Sequence, residues 1–244
     1  ILLTHIHLDH AGATGTIVRR YPHVNVLVHE RGAPHMADPE KLMASAARLY
    51  GDQMDRLWGE FAAVPAQNLT VLAGGERIDA GGRSFEVAYT PGHASHHVSF
   101  FDRASGVAFV GDTAGIRTSD DLFVLPPTPP PDIDIAAWKE SAALIDRWGA
   151  ETLFITHFGA HGDPATHLAC LIEHLDGVAA LARTIVERDA TAEERARLFT
   201  AEARRYLQRH MPDAAAAHYD QAAPLWQCWL GLARYWEKRG VGGE

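Results

Sequence analysis

The sequence predicts an α/β fold, and three patterns carry that expectation. A strand, a helix and a second strand open the chain, short strands divided by glycine pairs fill its middle, and the part from Asp134 onward is mostly helical. In the opening, Ile1 to Leu3 reads as a strand cut at its start, and residues 11–21 (AGATGTIVRRY) place Ile17 and Val18 on a helical period. The β-branched run VNVLVHE from Val24 follows the Tyr21-Pro22 turn as a strand. Helical stretches over 39–62 come next, and Pro65 closes them because proline breaks the helical hydrogen-bond ladder. From Leu69 to Val110 the segments LTVL, GERIDAGG, SFEVAYT, HVSFF and VAFV predict an antiparallel meander with tight turns.

The run LFVLPPTPPP from Leu122 to Pro131 cannot join a central sheet, since proline lacks the amide donor, and it is expected to cross a surface. Asp134 then caps a helix with Ile135, Trp138, Ala142, Ile145 and Trp148 at helical spacing, and Gly149 stops it. LFIT at 153–156 is the next strand. Asp163-Pro164 sets a cap before a first-turn proline, and Thr191 with Glu194 matches a capping box. Trp226, Trp229, Tyr235 and Trp236 are expected to anchor the last helix on the body, so the division expected is a main domain over 1–189, its start missing, and a helical extension over 190–244 packed on it. A helix pair exchanged with a second copy leaves the same pattern, which keeps a homodimer open.

At 244 residues and 47% hydrophobic, the chain has material for a sizeable core. No apolar run approaches the roughly 20 residues that cross a bilayer, so no membrane contact is expected. The chain opens on Ile1 without the basic and apolar regions of a signal peptide, and a segment upstream is expected to be missing. A net charge of −9 without a basic patch argues against nucleic acid. Cys170 and Cys228 lack any metal or disulfide spacing and read as reduced core thiols of a cytoplasmic protein. The 15 histidines are the outlier, because this residue accumulates where metal binding or proton transfer is needed.

Four of the chain's chemical groups are gathered in THIHLDHAG. His5 and His7 point to one side of a strand, and Asp9 and His10 swing to a neighbouring point as the chain turns into the helix, so one turn can serve two ions. His93 in TPGHASHH, Asp112 in VGDT and His157 in FITHFG each stand at the end of a predicted strand. Imidazole and carboxylate together suit zinc, with iron or manganese as competitors, and a catalytic site keeps one position open for water.

The order HxHxDH, TPGH, GDT and a last strand-end histidine resembles the metallo-β-lactamase superfamily over nearly the whole chain. The resemblance implies a four-layer αββα sandwich, here N-terminally truncated and carrying a helical C-terminal extension. It implies two divalent metal ions, most simply zinc, the first held by His5, His7 and His93, the second by Asp9, His10 and His157, with Asp112 bridging. Hydroxide between the ions would be the nucleophile, which makes Asp9 and Asp112 the catalytic carboxylates. Two dications about 3.5–4 Å apart acidify a shared water and polarise a carbonyl, so no protein nucleophile is needed. His97 matches the second histidine of the GHxxGH pattern, although His96 stands where that pattern has glycine, and His97 is read as a residue supporting the ligands.

Departures from the pattern narrow the chemistry. The superfamily's β-lactamases lack the bridging aspartate, so Asp112 argues against antibiotic hydrolysis, and its nucleases carry a further domain and basic surfaces. The remaining branch holds glyoxalase II (hydroxyacylglutathione hydrolase) and acyl-homoserine lactonases. The HEYT segment of the former is replaced by His157, Phe158 and Gly159, and the lactonase tyrosine three residues after the bridging aspartate by Gly115. VHERGAPHMADPEKL, PPTPPP, THFG and the aromatic end together resemble a bacterial branch of glyoxalase II-like hydrolases. The function expected is hydrolysis of an ester or thioester of a small molecule. A lactonase, a persulfide dioxygenase with one iron on the HxH and TPGH histidines, and an inactive fragment lacking its N-terminal strands are the alternatives. Phe123, Arg117 and His161 are candidate substrate contacts, and Leu122 to Leu125 form either an apolar lip for an acyl group or simple packing of the loop.

Overall fold

The computed structural model describes residues 1–119 and 121–241. Two compact units divide the chain, one formed by Ile1–Tyr89 with His96–Phe100 and the other by Thr90–Ser95 with Phe101–Glu244.

The first unit contains α1 (Leu8–Ala11), α2 (Thr14–Arg20), β1 (Val26–His29), α3 (Ala33–Ala37), α4 (Glu40–Tyr50), α5 (Met54–Leu57), β2 (Leu69–Leu72), β3 (Arg77–Ala80) and β4 (Arg83–Tyr89). Strand β5 (Val98–Asp102) begins in it and ends in the other unit. The stretch 1–3 is no strand: Leu2 makes a single parallel bridge to Leu27. The helical stretches expected over 39–62 are α4, which ends at Gly51 with a φ of 53°, and α5, and helix stops at Leu57, well before Pro65. The meander expected from Leu69 starts later, because β2 pairs parallel with β1, from Val26 opposite Leu69 to His29 opposite Leu72. A parallel partner requires a crossover, and α3 to α5 supply it. Val26, Val28, Met36, Phe61 and Ile6 are buried beneath, in one apolar cluster. The β3–β4 hairpin is antiparallel, and Gly81 and Gly82 at φ 59° and 76° make its two-residue turn, where both positions need positive φ.

The second unit contains β6 (Val107–Gly111), α6 (Ile135–Arg147), β7 (Thr152–Ile155), β8 (Gly159–Gly162), α7 (Pro164–Val186), α8 (Ala192–Gln208), α9 (Asp213–Ala222) and α10 (Leu225–Glu237). β6 and β7 are parallel, with α6 as the crossover, and β8 returns antiparallel on β7. GAHG carries no strand signal of its own and becomes β8 only through pairing with Thr152–Ile155. Asp134 caps α6 by accepting from the Ala136 and Ala137 amides, and Thr191 and Glu194 close a reciprocal capping box on α8. Asp163 does not cap α7: its φ of 58° turns its side chain away from the helix amides, although Pro164 does occupy the first turn.

The proline run is corrected most. Phe123 to Thr128 are buried rather than spread over a surface. A proline-rich segment tolerates burial because it has few amides to satisfy, and its remaining groups are used: Leu125 bridges Ile116, Tyr219 donates to the Phe123 carbonyl, and Thr128 Oγ1 donates to the Cys228 carbonyl. Ile116, Phe123, Trp138, Leu175, Phe199, Leu207, Tyr219, Trp229 and Leu232 share one apolar cluster, so residues beyond 190 complete the same core as α6 and α7. Trp229 and Tyr235 are buried and the Trp236 indole donates to the Ala179 carbonyl, whereas Trp226 is 45% exposed. The buried residues of α10 are Leu225, Cys228, Trp229, Gly231, Leu232, Ala233 and Tyr235, and Trp226 stands exposed in its first turn. Both cysteines are buried thiols, and burial pushes both pKa values up. Among the described residues no helix is long and apolar enough to cross a membrane.

Candidate metal centre

In the first unit, the segment after the Leu2 bridge bends at Thr4 and forms no strand, so His5 and His7 do not stand on one as expected; His7 sits at the N-terminal boundary of α1, and the single turn of α1 then presents Asp9 and His10. His5 is fully buried; its Nδ1 lies 3.2 Å from Thr4 Oγ1, and its Nε2 lies 3.1 Å from His7 Nδ1. Thr4 Oγ1 can accept from or donate to Nδ1, and in the tautomer protonated at Nδ1 His5 turns a lone pair toward the His7 nitrogen, an arrangement suited to a shared cation. His10 packs on His5 with ring centroids 3.9 Å apart, and its Nε2 is 3.2 Å from Asp9 Oδ2. Asp9 is the open member, with 41% of its side chain exposed. His97 is buried and stacks 5.0 Å from His5, and His96 stands edge-on to His7 at 5.5 Å while its Nδ1 accepts from the Ile6 amide. His96 had no role in the sequence reading; the doubled histidine in HASHH was its only signal.

In the second unit, the His93 ring hangs from the proline run. Its Nδ1 is 2.9 Å from the Pro127 carbonyl, which can only accept, so Nδ1 carries the proton and Nε2 keeps a lone pair. That Nε2 lies 3.6 Å from Asp112 Oδ2, and His157 Nε2 lies 3.5 Å from Asp112 Oδ1. Asp112 occupies a short 3-10 turn, Asp112–Ala114, at the end of β6, and is 4% exposed. His157 follows β7 and keeps 29% of its side chain exposed. These separations are longer than hydrogen bonds, and they match donors around a tetrahedral ion, which stand about 3.3–3.6 Å apart when each is roughly 2.0–2.2 Å from the metal. Two imidazoles, each set against a different oxygen of one buried carboxylate, fit a bridging role for that carboxylate.

Among the described residues, three groups could each hold a metal ion: His5, His7 and His93; His5, His10 and Asp112; and Asp9, His10 and His157. The candidate substrate contacts fare differently. Phe123 is 4% exposed, with its ring against His174 at 4.1 Å and Tyr219 at 5.1 Å, so it packs the core of the second unit and lines no lip. Arg117 turns back on its own loop, its Nε donating to the Ser119 and Asp121 carbonyls. His161 lies on β8, half-buried, with its ring 5.6 Å from that of His167. Trp138 and His167 both bond the turn holding Asp112; the sequence reading placed Trp138 only as a packing residue of its helix and did not name His167, because each lies on the buried side of its helix, where sequence shows only packing.

Comparison with known proteins identifies the family. Residues 1–157 match the family model of the metallo-beta-lactamase superfamily. A metallo-beta-lactamase fold-containing protein of Sulfurisphaera tokodaii is 33% identical over 144 residues, 58% of this chain and 53% of that protein. A hydroxyacylglutathione hydrolase of a Synechococcus strain is 31% identical over 113 residues, 46% of this chain and 33% of its own length. The chain therefore matches about half the length of the first relative and a third of the second. Among solved structures, an archaeal superfamily protein from Sulfolobus tokodaii aligns with a TM-score of 0.61 at 29% identity, over 81% of this chain and 75% of that one. A family protein from Thermus thermophilus aligns at 0.68 and 22% identity over 98% of this chain and 74% of that one, a likeness of fold alone.

Proposed function

The chain belongs to the metallo-beta-lactamase superfamily, and from that premise we propose that its donors form one binuclear centre that hydrolyses an ester or thioester of a small molecule. The observation that supports this best is the Asp112 carboxylate, buried with one imidazole facing each of its oxygens. In this reading His5, His7 and His93 hold one ion, Asp9, His10 and His157 the other, and Asp112 lies between them. Zinc is the ion that this set of imidazoles and carboxylates suits best. When bound, a pair of such ions supplies Lewis acidity and a water acidified toward neutral pH.

The chain's own residues do the rest. Asp112 would bring negative charge to both ions and so would offset their repulsion. The Pro127 carbonyl fixes the His93 tautomer, which keeps Nε2 as the donor. Asp9, the carboxylate with 41% of its side chain exposed, would hold an ion and is the group of this set open enough to accept a proton from the solvent side. The hydroxyacylglutathione hydrolase relatives favour a thioester or ester. Gly115 weighs against a lactonase of the tyrosine type: at φ 77° a side chain there is strained, and its Cβ would displace Val124 Cγ1 at 2.6 Å and Leu171 Cδ1 at 2.8 Å.

Metal analysis of the natural protein, followed by a thioester, ester and lactone panel, tests the reading. Two ions per chain with turnover of a thioester or ester is the expected result. One iron per chain with oxygen uptake, or two ions with no turnover of any acyl substrate, would replace it.

A further inference from the structure

We propose that Trp138 and His167 are positioning residues that hold the Asp112 turn in the orientation its carboxylate needs, an inference that rests on the binuclear reading. Every carbonyl of the turn is occupied. The Asp112 carbonyl accepts from the Gly115 amide at 2.9 Å, the Thr113 carbonyl from the Trp138 indole Nε1 at 2.6 Å, and the Ala114 carbonyl from His167 Nε2 at 2.8 Å. Thr113 Oγ1 also donates to the Thr90 carbonyl at 2.9 Å. The donors come from α6 on one side and α7 on the other, and both side chains are fully buried. The turn cannot rotate about Asp112 without breaking two buried side-chain bonds at once.

Trp138 reaches a second donor as well, since its ring stands edge-on to His93 at 5.6 Å. One indole thus touches His93 and the turn bearing Asp112, the two residues whose side chains face each other. His167 is informative for another reason. Its Nδ1 is buried with no hydrogen-bond partner among the described residues, a desolvation cost that a leucine of similar volume would avoid. Packing alone does not call for an imidazole there; an N–H donor to the Ala114 carbonyl does. Burial lowers the His167 pKa to about 4, so the ring is neutral near pH 7 and its one proton is the one given to that carbonyl.

The test compares His167→Leu, which removes the donor, with His167→Gln, whose amide can restore it, and with Trp138→Phe, which keeps the ring and loses the N–H. Two readouts are needed. Hydrogen exchange of the metal-free protein over residues 112–116 reports the turn directly, and Co2+ titration followed by visible absorption reports the ligand set. Expected are faster exchange at 112–116 and at least tenfold weaker Co2+ binding in His167→Leu and Trp138→Phe, a fall in kcat with KM little changed, and recovery in His167→Gln. Exchange and Co2+ affinity unchanged in both donor-removing variants, or His167→Gln no better than His167→Leu, would overturn the inference. Faster exchange in the variants of a protein that never takes up two ions would uphold the positioning while removing the binuclear reading.

Discussion

Acid should unfold this protein through two buried histidines, and the size of the effect follows from their surroundings. His167 and His174 are both held neutral, each with its pKa lowered from 6.5 to about 4 and burial as the main cause. His161 and Arg117 add repulsion at His167; at His174, His210 adds to the lowering, Glu173 opposes it, and the Tyr206 hydroxyl bonds Nδ1 at 2.7 Å. Because the folded pKa lies below the unfolded one, the unfolded chain binds protons first as pH falls. Stability is therefore intact above pH 6.5 and lost as pH drops toward 4. At pH 5 each histidine contributes about 2 kcal/mol of destabilisation, rising to about 3 below pH 4. Against a typical total of about 5–15 kcal/mol, both together weigh heavily. His174→Phe isolates one of them, since a phenyl ring can pack on Phe123 but cannot take up a proton. Urea unfolding of the metal-free chain at pH 7 and pH 5 should show the wild type losing about 2 kcal/mol more than the variant over that interval. Parallel pH curves for the two proteins would refute the reasoning.

Asp112→Asn should lower hydrolysis by roughly a hundredfold or more and weaken uptake of the second ion, because it removes the charge between the ions; near-native turnover with two ions bound would end the proposed mechanism. Chelation should remove metal in two phases, the ion beside exposed Asp9 and His157 first and that beside buried His5 and His93 later, as read by metal content over time; a single phase would contradict two unequal sites. Gly231→Ala should cost about 1–3 kcal/mol, since its Cβ would fall 2.1 Å from the Thr128 carbonyl oxygen; an unchanged melting temperature would show that α10 does not press on the proline run. Removing residues 190–244 should abolish solubility, because Ile116, Phe123 and Trp138 lose Phe199, Leu207, Tyr219 and Trp229 from their shared core; a soluble, active truncation would show the segment to be an appendage.

The family and its fold were legible in the sequence because their signals are local. Asp134 meets its amides two and three residues on, Thr191 and Glu194 cap each other within one turn, and Gly81-Gly82 turns a hairpin by its own backbone freedom. The candidate donors stood out for the same reason, since histidine and aspartate crowd into a few short segments. What depends on distant chain could not be read in this way. LTVL looks equally fit for either neighbour, and only the return of the chain through α3 to α5 lays it parallel on β1. The proline run carries no sign that α10 will cover it, and Phe123 becomes a core residue because Tyr219 and His174 arrive from helices some fifty to a hundred positions away. A strand-end histidine in sequence has two interchangeable nitrogens, and the Pro127 carbonyl decides that the Nε2 of His93 is the donor. Residue types and short spacings thus determined which groups were available, and tertiary packing decided which atoms of those groups face one another, since hydrogen-bond geometry acts over about 3 Å regardless of the separation along the chain.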